Sequence, residues 1–430
     1  MNYVTRGFWG DEAWTTLISR LPVADLVRTT SEDFHPPLYY LIVHFWMKLF
    51  GTSEVAVRSV SAVAFLLTSL AVFMLAQKFW KDKFKSLVLS GLVLLSPILF
   101  TYGFEARAYA ILTLLSVAGG FVFWVGKDSK NKIWRVLYFV FGAMSIYVHY
   151  YAWFILASHG LYLLLFERKR LMKMMAPALG IVLVQLPWIP TLMSQIGTVN
   201  NSYWIGAINE RTHWEFFLRV TGGDAQNIYQ APVALLVLVA LVMGFFFRLR
   251  AKKFDKKYLF LLTWLIVPTL IPSLISLKMP VFFYRYLIFS IVPILFLTID
   301  AFSFLKKQAY YGFVLVLVVG FGLITWLKFS ESPRSMREAM LDWESQGEKL
   351  DAPIYTVLPS FAETEYYLGL GGKYEVNVLP EGLIQSSGKS LLDTYESKDW
   401  TQVKEAGEDE EHWLFEPGSK VTLMNSEKEK

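Results

Sequence analysis

The chain has 430 residues, 54% of them apolar and only 18% charged, with a mean hydropathy of +0.40; soluble domains carry about a quarter charged residues, so a single water-soluble fold is excluded. The charges are also segregated, with 10 basic and 21 acidic residues in 330–430 and 31 basic and 15 acidic before it. The basic excess belongs to a membrane body and requires no nucleic acid partner, and the absence of cysteine removes disulfides, thiolate metal sites and cysteine nucleophiles.

In chain order, residues 8–53 read as an outer segment in which 13–27 and 37–50 interleave apolar and polar residues at helical spacing, as helices lying along a membrane surface do. Pro36-Pro37 sets the start of the second. Residues 54–328 form the membrane body. Charge-free runs long enough to cross recur at 59–77, 86–104, 108–126, 225–247, 258–277 and 308–327. The run 136–166 holds two short spans broken near His149-Tyr150-Tyr151, 174–209 holds one span and a polar loop, and 286–305 crosses despite Asp300. About ten spans are expected. Residues 330–430 alternate helical stretches (334–347, 361–368) with strand-like ones (354–358, 374–379, 412–415), as a small C-terminal α/β domain does; it contains no phosphate loop, metal cluster or nucleophile elbow.

Lys and Arg gather in the loops 78–85, 127–135, 167–170, 248–257 and 306–307, every second loop along the chain. Cytoplasmic loops hold that excess, so the opposite loops (101–108, 147–153, 196–230, 278–285) and the C-terminal domain are expected outside, in a multi-pass protein of the plasma membrane. Met1 then also falls outside, and an additional membrane helix upstream of it is expected.

Ionisable groups at membrane depth are costly unless paired or hydrated, so their positions mark a cavity. The informative ones are Asp11-Glu12, Asp33 and His35, Arg58, Glu105 and Arg107, His149 and Arg285, all at outer ends of helices or in the first outer segment, where one cavity could collect them. Asp11-Glu12 is either a helix cap or a general base or metal ligand. Glu105 and Arg107 either neutralise each other or belong to the site, and Arg285 either snorkels or meets an anion. His149 either joins an aromatic belt or lines the site; Asp11, Asp33 and His35 could hold a divalent ion, although their spacing is not diagnostic. Asn200, Asn201, Tyr203, Trp204 and Trp214 in the long outer loop suit sugar stacking and hydroxyl bonding.

The acidic pair, a PPLYY helix ending KLFG, a helix beginning EVAVRS, the Ser96–Tyr109 turn (SPILFTYGFEARAY) and a late Arg285-Tyr286 before Pro293 together resemble the GT-C fold glycosyltransferases. The resemblance is greatest to the protein mannosyltransferase and aminoarabinose transferase superfamily (glycosyltransferase family 39-like). It covers residues 8–328. It implies an enzyme that moves a sugar, a mannose-like hexose foremost, from a polyprenyl phosphate to an acceptor hydroxyl of a lipid or protein outside the membrane, with inversion. It makes Asp11 the base, with Glu12 and Glu105 as accompanying acids, and assigns the donor phosphate to Arg285, Arg107, Arg58 and His35. Tyr109, His149, Tyr150, Asn201 and Trp204 become substrate-binding residues. The pattern departs at Tyr109, where relatives carry a second Asp, and at His35, where they carry Lys. A transporter or flippase of lipid-linked saccharide is the alternative, and would place charges near the midplane.

Overall fold

A computed structural model describes residues 3–201, 205–224, 227–331, 333–347, 351–370, 372, 374–380, 389–407 and 410–424. In chain order the helices are α1 (Gly10–Arg20), α2 (Val23–Glu32), α3 (Leu38–Phe50), α4 (Glu54–Trp80), α5 (Lys83–Leu94), α6 (Pro97–Gly103), α7 (Tyr109–Gly126), α8 (Ile133–Val148), α9 (Ala152–Phe166), α10 (Arg168–Gln185), α11 (Ile189–Asn201), α12 (Thr212–Gly222), α13 (Gln230–Ala251), α14 (Lys256–Ile275), α15 (Ile291–Ala301), α16 (Lys307–Ser330), α17 (Met336–Gln346), α18 (Leu358–Thr364) and α19 (Lys389–Glu396). The strands are β1 (Ile354–Thr356), β2 (Val376–Val378), β3 (Gln402–Val403), β4 (His412–Glu416) and β5 (Lys420–Met424). The chain divides into two compact units, one of Met1–Val60, Thr191–Tyr203 and Ser330–Lys430, the other of Ser61–Pro190 and Trp204–Phe329.

The first unit joins the N-terminal segment to the C-terminal domain. The expected helix over 13–27 is two helices, because Pro22 holds Leu21 in extended backbone and ends α1 at Arg20. α1 does not lie on a membrane surface: Glu12 through Ser19 are all buried, and it packs on α18, α3 and α2. α3 does keep an exposed apolar face at Phe45, Leu49 and Phe50. The C-terminal sheet runs in the order β3-β2-β1-β4-β5, parallel except for the β4–β5 hairpin. Its core is Met336, Trp343, Ile354, Leu368, Val376, Trp413 and Phe415. α17 starts in a reciprocal Ser335–Glu338 capping box and ends at Gly347 with φ +66°. The segment and the domain are tied by Phe8 N–H donating to the Tyr367 hydroxyl (2.6 Å), by Thr29 and Thr394 hydroxyls 2.9 Å apart, and by the Lys398–Asp25 (2.8 Å) and Arg337–Glu54 (2.9 Å) ion pairs.

The second unit is a helical membrane body. Seven helices among the described residues are long and apolar enough to cross a bilayer: α4, α7, the continuous run Arg168–Val199, α13, α14, Tyr284–Phe304 and α16. α5 and α6, bent by 58°, make an eighth if they are one span. α8 and α9 are shorter apolar helices of 16 and 15 residues, at the place where two short spans were expected. The region read as the long outer loop instead contains the end of α11 and all of α12, which packs on α13 and α6. Asp300 is tolerated inside its span because Arg248 of α13 donates to it. At the lysine-rich loops, Lys127 is buried between Asp128 (2.8 Å) and Glu167 (2.7 Å), and Lys256 closes on Glu167 from α14 (2.6 Å).

Candidate active site

In the first unit, a cluster of ionisable residues surrounds the first turn of α1. Its N-cap is Trp9, so Asp11 and Glu12 are first-turn residues rather than caps. Adjacent residues on a helix point about 100° apart, and the two carboxylates separate accordingly. Glu12 turns inward and is fully buried, where it accepts from Arg58 Nε (2.7 Å) and Nη2 (2.6 Å). The same guanidinium donates to the carbonyls of Val4 (3.0 Å), Arg6 (2.6 Å) and Gly7 (3.0 Å).

All five N–H donors of a guanidinium are thereby engaged. Arg58 is consequently not available to a donor phosphate, and Glu12 is a buried counter-ion rather than a base. Asp11 stays on the half-buried side of the turn. α18 packs on this helix, and the Glu363 carboxyl lies in the field of Asp11 and Glu12. Nothing in the sequence pointed to Glu363, because nothing there brings α18 to α1.

Asp33 and His35 pair at 3.4 Å between Oδ2 and Nδ1, with Asp33 buried and His35 half-buried. Among the described residues no three His, Asp or Glu side chains are arranged to share an ion. The expectation of a metal set made of Asp11, Asp33 and His35 is therefore corrected: Asp33 and His35 face each other, and Asp11 does not complete a triad.

In the second unit, the 58° bend before α6 and the turn 104–108 bring a second cluster together. Glu105 and Arg107 are buried, and Arg107 lies 5.7 Å over the Tyr109 ring that opens α7. Tyr109 contacts the rings of Tyr102 (5.0 Å), His149 (6.0 Å) and Tyr286 (6.2 Å). His149 Nδ1 accepts the Tyr151 N–H at 3.2 Å, which puts the proton of the neutral ring on Nε2. Tyr151 packs on His149 and Tyr286 and donates to the Val281 carbonyl.

Arg285 Nε donates to the Tyr284 hydroxyl (3.1 Å) and interacts electrostatically with Tyr102 and Tyr109. Tyr102 donates to Asp224 (2.8 Å) and also lies in the field of Glu105 and Arg285. Arg219 reaches Asp224 at 3.5 Å and covers the Tyr284 ring at 4.8 Å.

Glu105, Arg107, Tyr109, His149 and Arg285 thus share one surrounding, two guanidiniums among tyrosine hydroxyls and two carboxylates. Tyr102, Tyr284, Tyr286, Arg219 and Asp224 complete it; Tyr102 and Tyr286 lie in the motifs that carry the resemblance, but none of the five was expected as a site residue. The only available signal was Asp224 in a polar stretch between apolar runs. The Tyr150 hydroxyl accepts the Trp188 indole N–H at 2.8 Å. Asn201 closes α11, but its side chain lies outside the described residues, as does Trp204.

Residues 34–193 match the family described as dolichyl-phosphate-mannose-protein mannosyltransferase. The chain is similar to ArnT from Cupriavidus metallidurans in its apo state (TM-score 0.63, 13% identity, 93% of this chain and 86% of that one). It is similar to the same protein bound to undecaprenyl phosphate, with TM-score 0.62 and the same identity and coverage. The fold is GT-C. The GT-C chain is also similar to the Archaeoglobus fulgidus oligosaccharyltransferase (TM-score 0.53, 13% identity, 80% of this chain and 54% of that one). It is also similar to undecaprenyl phosphate-alpha-4-amino-4-deoxy-L-arabinose arabinosyl transferase 2 of Proteus mirabilis (strain HI4320), 26% identical over 270 residues, 56% of this chain. The GT-C chain spans 45% of that relative's length. These matches uphold the resemblance to the mannosyltransferase and aminoarabinose transferase superfamily read from the sequence.

Proposed function

We propose that the chain transfers a sugar from a polyprenyl phosphate to an acceptor hydroxyl. The carrying observation is that Arg107 and Arg285 sit with Tyr102, Tyr109 and Tyr284 in one cluster of a GT-C fold. Two guanidiniums among phenol hydroxyls suit a phosphate that becomes a leaving group. Asp11, on the accessible side of the α1 turn, accepts the proton of the acceptor hydroxyl while that oxygen bonds to the sugar C1. The C1–phosphate bond breaks with inversion, and the polyprenyl phosphate departs as an anion held by Arg285 and Arg107.

The sugar is 4-amino-4-deoxy-arabinose in place of the mannose-like hexose first expected. The name of the Proteus mirabilis relative supports that donor, and undecaprenyl phosphate bound to ArnT supports the lipid. The acceptor is a lipid or protein hydroxyl. The alternation of lysine-rich and lysine-poor loops supports an outward-facing site and C-terminal domain in a plasma membrane.

The test is release of radiolabelled sugar from undecaprenyl-phosphate aminoarabinose and from polyprenyl-phosphate mannose by the purified chain. Release from the first alone is expected. Release from the mannose donor alone overturns the sugar assignment, and release from neither, by folded protein, overturns the reaction.

A further inference from the structure

The corner that follows α12 sets an acid among the arginines of the second unit. Gly223 leaves that helix at φ +78°, and a Cβ there would stand 2.7 Å from the Cβ of Pro97, the first residue of α6. Only glycine has both that conformation and the room. Gln230 holds the corner by donating to the Gly223 carbonyl. The next residue, Asp224, is thereby brought to the side chain of Tyr102 on α6.

Tyr102 is 1% exposed, and its hydroxyl donates to Asp224 Oδ2 at 2.8 Å. Asp224 Oδ1 accepts from Arg219 Nη1 at 3.5 Å. Each of these partners leads to one of the guanidiniums placed on the donor phosphate. The Tyr102 ring packs edge-on at 5.0 Å against Tyr109, over which Arg107 lies. Arg219 covers the Tyr284 ring at 4.8 Å, and the Tyr284 hydroxyl accepts from Arg285 Nε at 3.1 Å.

A carboxylate beside an anion site repels the anion, so an acid here weakens phosphate binding unless it serves the groups that bind. We infer that Asp224 is a positioning residue for the donor phosphate, holding Tyr102 with one oxygen and Arg219 with the other so that the tyrosines in contact with Arg107 and Arg285 keep their places. Without it the buried Tyr102 hydroxyl loses its acceptor and Arg219 loses its carboxylate. The inference rests on the phosphate role of Arg107 and Arg285 proposed above.

The test measures the Kd of undecaprenyl phosphate and the Tm for the full chain and for Asp224→Ala, Asp224→Asn, Tyr102→Phe, Arg285→Ala and Asp224→Ala/Arg285→Ala. Removing a bystander acid makes the site more positive and tightens binding, whereas removing a positioning acid loosens it. Asp224→Ala should raise Kd by about 10–100-fold, the worth of a charge-assisted hydrogen bond that is no longer well placed. Asp224→Asn and Tyr102→Phe should move the same way by less. Because Asp224 acts partly through Arg285, the double variant should lose less than the product of the two single effects. Unchanged or tighter binding by a folded Asp224→Ala chain overturns the inference, and so does a double variant that shows the full product. If Asp224→Ala does not fold, wild-type affinity in Asp224→Asn and Tyr102→Phe overturns it. A wild-type chain that binds no undecaprenyl phosphate, or an Arg285→Ala chain that binds it as wild type does, removes the phosphate site and the inference together; weakening by Arg285→Ala with none by Asp224→Ala removes the inference alone.

Discussion

Glu12→Ala tests whether the second residue of the acidic pair is structural. Arg58 is 1% exposed and Glu12 fully buried, and two of the five Arg58 hydrogen bonds go to the Glu12 carboxylate. Removing the carboxylate leaves a buried guanidinium with its charge uncompensated, which costs about 3–5 kcal/mol. That is about 10²–10⁴ in the folded-to-unfolded ratio, a large share of the stability of an ordinary domain. The double variant Glu12→Ala/Arg58→Met removes the orphaned charge as well and should recover much of the loss, since the penalty lies in the unpaired ion rather than in the missing pair. Thermal inactivation in detergent, with proteolysis of the N-terminal segment as the probe, reads Glu12→Ala, Arg58→Met and the double variant. A Glu12→Ala chain as stable as wild type, or a double variant as unstable as the two single losses summed, refutes the reasoning.

Glu365 is 4% exposed in a π-helical turn (Glu365–Gly369), and burial raises its carboxyl from an ordinary 4.5 to about 8 against the pull of Thr401. The folded domain therefore holds a proton that the unfolded chain releases. Its contribution is complete below about pH 4.5 and lost as pH rises toward 8, a fall of roughly 5 kcal/mol at most; Glu365→Gln should flatten that dependence in pH-resolved denaturation of the C-terminal domain. At Gly244 of α13 a Cβ would stand 2.5 Å from the Cβ and 3.1 Å from the Cα of Ala301 on α15. Gly244→Ala should cost about 1–3 kcal/mol by overpacking, and Ala301→Gly should relieve it in the same thermal assay. Arg285→Ala should weaken donor binding by about 10–100-fold, the worth of a charge-assisted hydrogen bond, with wild-type thermal stability; unchanged donor affinity would remove Arg285 from the phosphate site.

The membrane body was legible because a bilayer demands long apolar runs, and those runs stand out in composition alone. The strands β1, β2 and β4 were legible for a similar reason, each being short, apolar and bounded by turn residues. β3, with two residues, and the exposed edge strand β5 carried no such pattern. The bend between α5 and α6 left no trace in hydropathy, since one apolar run covers both sides of it. Among site residues, Asp11, Arg107 and Arg285 were readable as charges at helix ends where charge is expensive. The difference between Asp11 and Glu12 was not readable, because it depends on which way each points once Arg58 arrives from α4. Asp224 and Glu363 were hidden for the opposite reason: each is an ordinary acid in a polar stretch, and only the fold sets them beside Tyr102 and α1.

Asp11 is the base of the proposed reaction. The direct measurement is turnover of undecaprenyl-phosphate aminoarabinose by Asp11→Asn, with thermal stability recorded on the same preparation. The substitution keeps the size of the side chain and removes its capacity to take a proton, so sugar release should fall by about 10²–10⁴-fold while the unfolding temperature stays that of the wild type. Wild-type release by a folded Asp11→Asn chain would contradict the account.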